Sequence, residues 1–216
     1  MTIRHHISDS LLMAYSAGQL PEAFSLVLAT HLSLCDDCRA RLGSFEAVGG
    51  AVMEDCAEAS MTDGSFDQTM ARILQGAPRF APEPARSTRQ GILPAPLVDY
   101  IGGDLSAVKW RPLGMGVKQA ILPTEKSASA RLLFIPAGAN VPDHGHRGTE
   151  LTLVLQGAFR DETDRFGVGD LEIANEDLNH QPVAEMGADC ICLAATDAPL
   201  RFNRLLARIA QPFFRI

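Results

Sequence analysis

The stretch from Gly76 to Pro96 constrains the fold of this 216-residue chain more than any other feature, because it contains five prolines. Prolines at this density favour an extended linker over a helix or a central strand. Before it, apolar residues recur at helical spacing; after it, short apolar runs alternate with Gly, Pro, Asn and Asp. The sequence therefore predicts a helical domain over 1–76, a linker over 77–96 and an all-β sandwich or barrel over 97–216.

Four helices are predicted before the linker. Ser8 or Asp9 is placed to cap the first, since a short polar side chain can accept a hydrogen bond from a free backbone N–H. The third is expected to end near Val48, because Gly49 and Gly50 are poor helix formers. Six strands are predicted after the linker, at 108–112, 116–121, 130–135, 151–155, 171–174 and 191–194.

Composition narrows the class of protein. No apolar run approaches the roughly 18–20 residues of a membrane helix, and the N-terminus lacks an apolar signal core, so we expect a cytoplasmic protein. The net charge of −7 argues against nucleic-acid binding. Residues 1–76 carry four Arg and Lys against ten Asp and Glu, and such an acidic domain suits a basic protein partner better than a zinc-finger role on DNA.

The sharpest motif of the first domain is His31-x3-Cys35-x2-Cys38. Four residues span about one helical turn, so His31 and Cys35 are expected on one helix face, with Cys38 reaching the same point. Tetrahedral zinc takes nitrogen and thiolate ligands, and a closed site needs a fourth. His5 and His6 are the nearby histidines, and spacing alone does not choose between them. The alternatives are a core histidine beside buried cysteines, or a redox Cys-x-x-Cys, which normally follows a strand.

The second domain carries His144-x-His146-x3-Glu150, with flanking glycines that match the first cupin motif at every fixed position. Side chains alternate along a strand, so these three residues are expected to project inward together. The second cupin motif keeps only Gly169 and His180. Three histidines and a carboxylate suit Zn, Fe, Mn or Ni. The sequence thus predicts an α plus all-β protein, a small helical bundle followed by a cupin-type barrel (jelly roll) with its own metal.

The other three cysteines are not expected to be metal ligands. Cys190 and Cys192 have same-face strand spacing, and buried free thiols are the default interpretation, with a redox-sensing pair as the alternative. Cys56 lies apart in an acidic stretch and is not expected to be a ligand.

Four stretches extend these motifs: Met-Thr-Ile-Arg-His-His at the N-terminus, 30–35, 141–146 and 211–216. Together with the order of the domains, they make the chain resemble the zinc-dependent anti-sigma factors over essentially its whole length. The resemblance implies that the helical domain binds a group IV (extracytoplasmic-function) sigma factor and keeps it from RNA polymerase. It also implies the zinc ligands His6, His31, Cys35 and Cys38, choosing His6 over His5.

For the cupin-like domain, the resemblance implies a second zinc on His144, His146, Glu150 and His180. This domain would be dispensable for inhibition but needed to respond to oxidative stress of the singlet-oxygen type. The competing hypothesis is a metal-dependent cupin enzyme, a dioxygenase or isomerase, with a regulatory helical domain. Arg147 is the sole arginine beside the ligands and is expected to point outward, which favours a protein without catalytic residues.

Overall fold

The computed structural model describes residues 2–76, 91–199 and 201–202. Residues 2–76, called here the helical segment, form four helices: α1 Asp9–Ser16, α2 Glu22–Leu32, α3 Asp36–Glu54 and α4 Ser65–Leu74. The Ser8 side chain caps α1 by accepting a hydrogen bond from the Leu11 N–H at 3.4 Å. The predicted four-helix content is therefore confirmed.

Helix α3 corrects one predicted boundary. It continues through Gly49 and Gly50 to Glu54, so the expected break near Val48 is wrong. Neither glycine has a positive φ. A glycine weakens a helix by about 1 kcal/mol but does not force it to end, because its backbone N–H still completes the hydrogen-bond ladder.

Residues 95–199 and 201–202, called here the β-domain, begin with a helix and a 3₁₀ turn and continue as twelve strands. The helix is α5 Ala95–Ile101 and the 3₁₀ turn is Leu105–Ala107. Six antiparallel strands form the large sheet, in the spatial order β1 Arg111–Gly114, β2 Val117–Ile121, β3 Ser129–Ile135, β11 Cys190–Thr196, β5 Glu150–Gln156 and β8 Leu171–Ala174.

Two small sheets complete the β-domain. One contains β10 Val183–Ala184, β6 Ala158–Arg160 and β7 Arg165–Gly167, and the other contains β12 Arg201–Phe202, β4 His144–Gly145 and β9 Asn179–His180. The predicted class of helices followed by a cupin-like β-domain is confirmed. Among the described residues the sheets pack as a sandwich and are not hydrogen-bonded into one closed barrel. The predicted strand at 108–112 overlaps β1 at only two residues, while the other five match within about two residues.

Helix α5 starts inside the predicted linker. Pro94 precedes its first turn and Pro96 lies within it, where a missing N–H costs no hydrogen bond. Residues 77–90 of the predicted linker, and the 211–216 stretch, lie outside the described residues.

Helix α2 joins the helical segment to the β-domain. Eight of its eleven residues are buried, and it contacts β3, β5 and β11 on one side and α3 and α5 on others. One hydrophobic core includes side chains of both regions, such as Leu28 of α2 and Leu193 of β11. The start of α2 is also fixed, because the Glu22 carboxylate accepts hydrogen bonds from the Tyr100 hydroxyl at 2.9 Å and the Glu125 N–H at 2.7 Å.

Candidate metal centres

Four side chains of the helical segment converge on one point. His31 lies in the last turn of α2, Cys35 caps the start of α3, Cys38 lies in its first turn, and His6 precedes α1. The Nδ1 atom of His6 is 3.3 Å from the Cys35 sulfur and 3.5 Å from the Cys38 sulfur. The Nε2 atom of His31 is 3.3 Å from the Cys38 sulfur. All four donor atoms lie within 4.8 Å of one another, which makes the cluster a possible metal site.

These separations fit a tetrahedral cation. Metal–nitrogen bonds of about 2.0 Å and metal–sulfur bonds of about 2.3 Å give donor–donor distances of about 3.5 Å. Burial, with a smaller contribution from His6, lowers the pKa of His31 to about 4, so its imidazole is neutral at pH 7 and can offer a lone pair. Burial raises the pKa of Cys38 to about 11, so the thiol gives up its proton only to a strongly bound cation.

The two N-terminal histidines point to different places. His6 joins the cluster, whereas the His5 ring lies on the β-domain, with Nε2 3.1 Å from Asp164 Oδ2 and its centroid 4.4 Å from that of Phe166. The structure therefore brings together the four residues that the family resemblance implied. Cys56 is exposed and lies outside the cluster.

A second cluster lies in the β-domain. His144 of β4 pairs with His180 of β9, and His146 follows β4. All three are buried, their donor atoms lie within 4.8 Å of one another, and the Nε2 atoms of His146 and His180 are 3.3 Å apart. Three converging imidazoles form an open set that leaves room for further ligands on a cation.

Glu150 lies beside this cluster. Its Oε2 is 3.8 Å from His146 Nδ1, and its Oε1 accepts a hydrogen bond from Thr152. Strand alternation does not account for the placement of His144, His146 and Glu150, because β4 ends at Gly145 and Glu150 begins β5. The donor atoms of the three histidines converge, and the Glu150 carboxylate lies at the edge of that group.

Two carboxylates that sequence reasoning missed support His180. Its Nδ1 lies 2.7 Å from Asp161 Oδ2 and 3.2 Å from Glu172 Oε1. Although burial alone would lower it, the two carboxylates raise the pKa of His180 to about 9, so without a cation the ring is protonated at pH 7. Both carboxylates lie at Nδ1, which holds the Nδ1 proton there and leaves Nε2 facing the other histidines as the atom that gives up its proton to a metal. Glu172 lies inside the apolar predicted strand 171–174, and the structure shows it buried while its neighbour Ile173 is exposed, an orientation that the sequence does not signal.

The β-domain also contains a buried cation that was not predicted. Arg131 of β3 is 6% exposed and donates to Gln119 at 3.2 Å and to Ser129 at 3.2 Å. Burial lowers its pKa, and the charge of Glu150 acts in the opposite direction. Arg147 is exposed, as expected. Arg131 is thus a buried cation whose charge interacts with that of the predicted ligand Glu150.

The two remaining cysteines of β11 match their default interpretation. Cys190 and Cys192 are free and fully buried, with sulfurs 3.5 Å apart. The neighbouring Cys190 and burial raise the pKa of Cys192, which keeps the thiol protonated.

No helix among the described residues is long and apolar enough to cross a membrane.

Comparison with known proteins gives consistent matches. Residues 99–199 match the family model described as the ChrR cupin-like domain. The anti-sigma-E factor ChrR of Cereibacter sphaeroides is 64% identical over all 216 residues, and the alignment covers 100% of both chains. The crystal structure of Rhodobacter sphaeroides SigE in complex with the anti-sigma ChrR matches with a TM-score of 0.80 and 61% identity, over 91% of this chain and 100% of that chain.

Proposed function

This chain belongs to the ChrR family of anti-sigma factors, and we propose that its helical segment sequesters a group IV (extracytoplasmic-function) sigma factor. The observation that carries the proposal is the 61% identity, over 91% of this chain, to a chain that was crystallised in complex with SigE. The acidic helical segment supports it, because a sigma factor presents basic and apolar surfaces to promoter and polymerase. Binding there requires no turnover, and its place of action is the cytoplasm, where RNA polymerase works.

We assign Zn²⁺ to the cluster of His6, His31, Cys35 and Cys38. Two thiolates and two imidazoles are a donor set that zinc prefers, and four protein ligands leave no open position for catalysis. When bound, zinc supplies a cross-link. The residues themselves tie the segment before α1, the end of α2 and the start of α3 to one point, which orients the helices that meet the sigma factor.

The surface offered to the sigma factor is the exposed apolar face of α3 and α4. Helix α4 has no buried residue, and its apolar side chains Phe66, Met70, Ile73 and Leu74 recur on one face. On α3, Val48, Val52 and Met53 are also exposed. An exposed apolar surface on two neighbouring helices is typical of a binding site. The complex of the similar chain with SigE supports a sigma factor as its occupant.

Promoter-specific transcription in vitro tests the proposal. The full zinc-loaded chain, added to RNA polymerase and the partner sigma factor, is expected to inhibit at one equivalent. Residues 1–76 alone test whether the helical segment suffices. Failure of the folded, zinc-bound full chain to inhibit any group IV sigma factor would overturn the anti-sigma proposal and direct attention to catalysis in the β-domain.

We further propose that the β-domain holds a second metal, also Zn²⁺, on His144, His146, Glu150 and His180, and that it senses oxidative stress of the singlet-oxygen type. The convergence of the three histidines supports the site. A His146→Ala variant is expected to inhibit transcription like wild type but to keep inhibiting when a photosensitiser generates singlet oxygen. Normal release of the sigma factor from this variant would contradict the sensing role.

Asp161 is expected to tune this second site. In Asp161→Asn, the loss of a charged partner at His180 Nδ1 should lower the affinity of the β-domain for zinc by about 10-fold. Zinc content is measured after equilibration with graded amounts of chelator. Glu162→Gln is the control, because its carboxylate contacts the Gln181 N–H and no histidine. Equal zinc retention in both variants would show that Asp161 does not contribute to zinc binding by the β-domain.

A further inference from the structure

The residues just before the ligand His6 are bound to the β-domain through their backbone. The N–H groups of Arg4 and His5 both donate to one oxygen of Asp170, at 2.6 Å and 3.0 Å. The His5 carbonyl in turn accepts a hydrogen bond from the Leu171 N–H at 3.1 Å. Three main-chain hydrogen bonds therefore place the segment that carries His6 against the start of β8.

Asp170 joins the N-terminal segment to its own turn in the β-domain. It is 3% exposed, and its second oxygen accepts a hydrogen bond from the Gly167 N–H at 2.8 Å. Burial alone would raise the pKa of Asp170, but the N–H donors of His5, Arg4 and Gly167 outweigh burial and lower it. An ionised carboxylate accepts stronger hydrogen bonds than a neutral oxygen does, so Asp170 binds the N–H groups of Arg4 and His5 strongly.

We propose that Asp170 is a positioning residue for the zinc site of the helical segment, holding Arg4 and His5 so that His6 Nδ1 stays between the two sulfurs. The inference rests on the proposed zinc site. Through Asp170, zinc retention in the helical segment depends on the turn between β7 and β8 of the β-domain.

Strand β8 extends this dependence toward the second cluster. Asp170 immediately precedes β8, and Glu172, two residues later, lies 3.2 Å from His180 Nδ1. A displacement of β8 caused by a change at His180 would move Asp170 and loosen His6. By reciprocity, zinc bound at His6 favours the position of β8 that supports His180.

Cobalt substitution of the full chain isolates the first site. Co²⁺ bound to Cys35 and Cys38 gives a thiolate-to-metal charge-transfer absorption that a site of histidines and a carboxylate does not give. The rate at which this absorption disappears after chelator is added measures metal release. Asp170→Ala is expected to release cobalt about 10-fold faster than wild type. Asp170→Asn keeps one acceptor oxygen and should release it at an intermediate rate.

Asp104→Ala is the matched control. Its carboxylate likewise accepts hydrogen bonds from two consecutive backbone N–H groups, those of Ile92 and Leu93, at 3.2 Å and 3.1 Å. This variant is expected to release cobalt at the wild-type rate. Hydrogen exchange of the N-terminal peptide adds a readout that needs no metal: the Arg4 and His5 amides should exchange faster in both Asp170 variants and not in the control.

The outcomes separate this inference from the zinc assignment. Wild-type release and exchange rates in Asp170→Ala and Asp170→Asn would overturn the positioning role, as would an equal acceleration in Asp104→Ala. His6→Ala is measured in the same series. If His6→Ala changes neither the cobalt absorption nor the release rate, the ligand assignment itself fails.

Discussion

A Cys38→Ala variant of the full chain is expected to lose zinc from the helical segment and, with it, stoichiometric inhibition of the sigma factor. The Cys38 sulfur contacts both histidine donors, His31 at 3.3 Å and His6 at 3.5 Å, so its removal breaks the centre of the cluster. Cys38 is the sole buried residue of α3, where Leu42 and Phe45 pack against the core while partly exposed, and α4 has no buried residue.

The expected effect is large because structural zinc contributes about 10 kcal/mol or more to the folding of small domains. We expect inhibition to weaken by at least about 100-fold, which corresponds to roughly 3 kcal/mol. Bound zinc is measured by elemental analysis, and inhibition by titration into a transcription reaction with the sigma factor and RNA polymerase.

Cys56→Ala is the matched control, because this exposed thiol lies beyond the end of α3 and donates to the Val52 carbonyl of that helix. It should retain zinc and inhibit like wild type. Inhibition at one equivalent by zinc-free Cys38→Ala would show that sigma binding does not need the metal.

Spacing predicted three donors of the first metal cluster and left His5 and His6 open as the fourth, which the family resemblance chose; the local structure of the cluster could not be predicted. The spacing of four between His31 and Cys35 predicted one helix face, whereas α2 ends at Leu32 and Cys35 caps the next helix. The cluster forms because a tight turn returns the chain to the same point. Periodicity describes side-chain direction within a regular element, and these donors lie where elements end.

The contact between helices and sheet could not be predicted from local pattern. The apolar spacing of α2 indicates that it is buried, but not that β3, β5 and β11 cover it. The contacts of Asp170 could not be predicted either, because its partners Arg4 and His5 lie more than 160 residues away in sequence. Such contacts depend on tertiary packing, which composition and spacing do not encode.

The double substitution Phe66→Asp and Ile73→Asp is expected to weaken sigma binding by at least about 100-fold without loss of zinc. Seven residues is close to two helical turns, so both side chains lie on one face of α4, where they are 72% and 61% exposed. Burying an apolar side chain of this size contributes about 1.5–3 kcal/mol, and two such losses give about 3 kcal/mol or more. Each added carboxylate would also have to lose its hydration against an apolar sigma surface, which costs free energy.

Met186→Asp is the matched control, because this apolar side chain is 83% exposed on the β-domain, away from α4. Binding is measured by titrating each full-length, zinc-loaded variant against the labelled sigma factor. Since neither Phe66 nor Ile73 is buried, unfolding does not account for a loss of affinity, and retained zinc checks this directly. Wild-type affinity in the double variant would place the sigma factor on another surface. Weaker sigma binding by the double variant, with wild-type binding by Met186→Asp, fits an amphipathic helix whose apolar face is covered only in the complex.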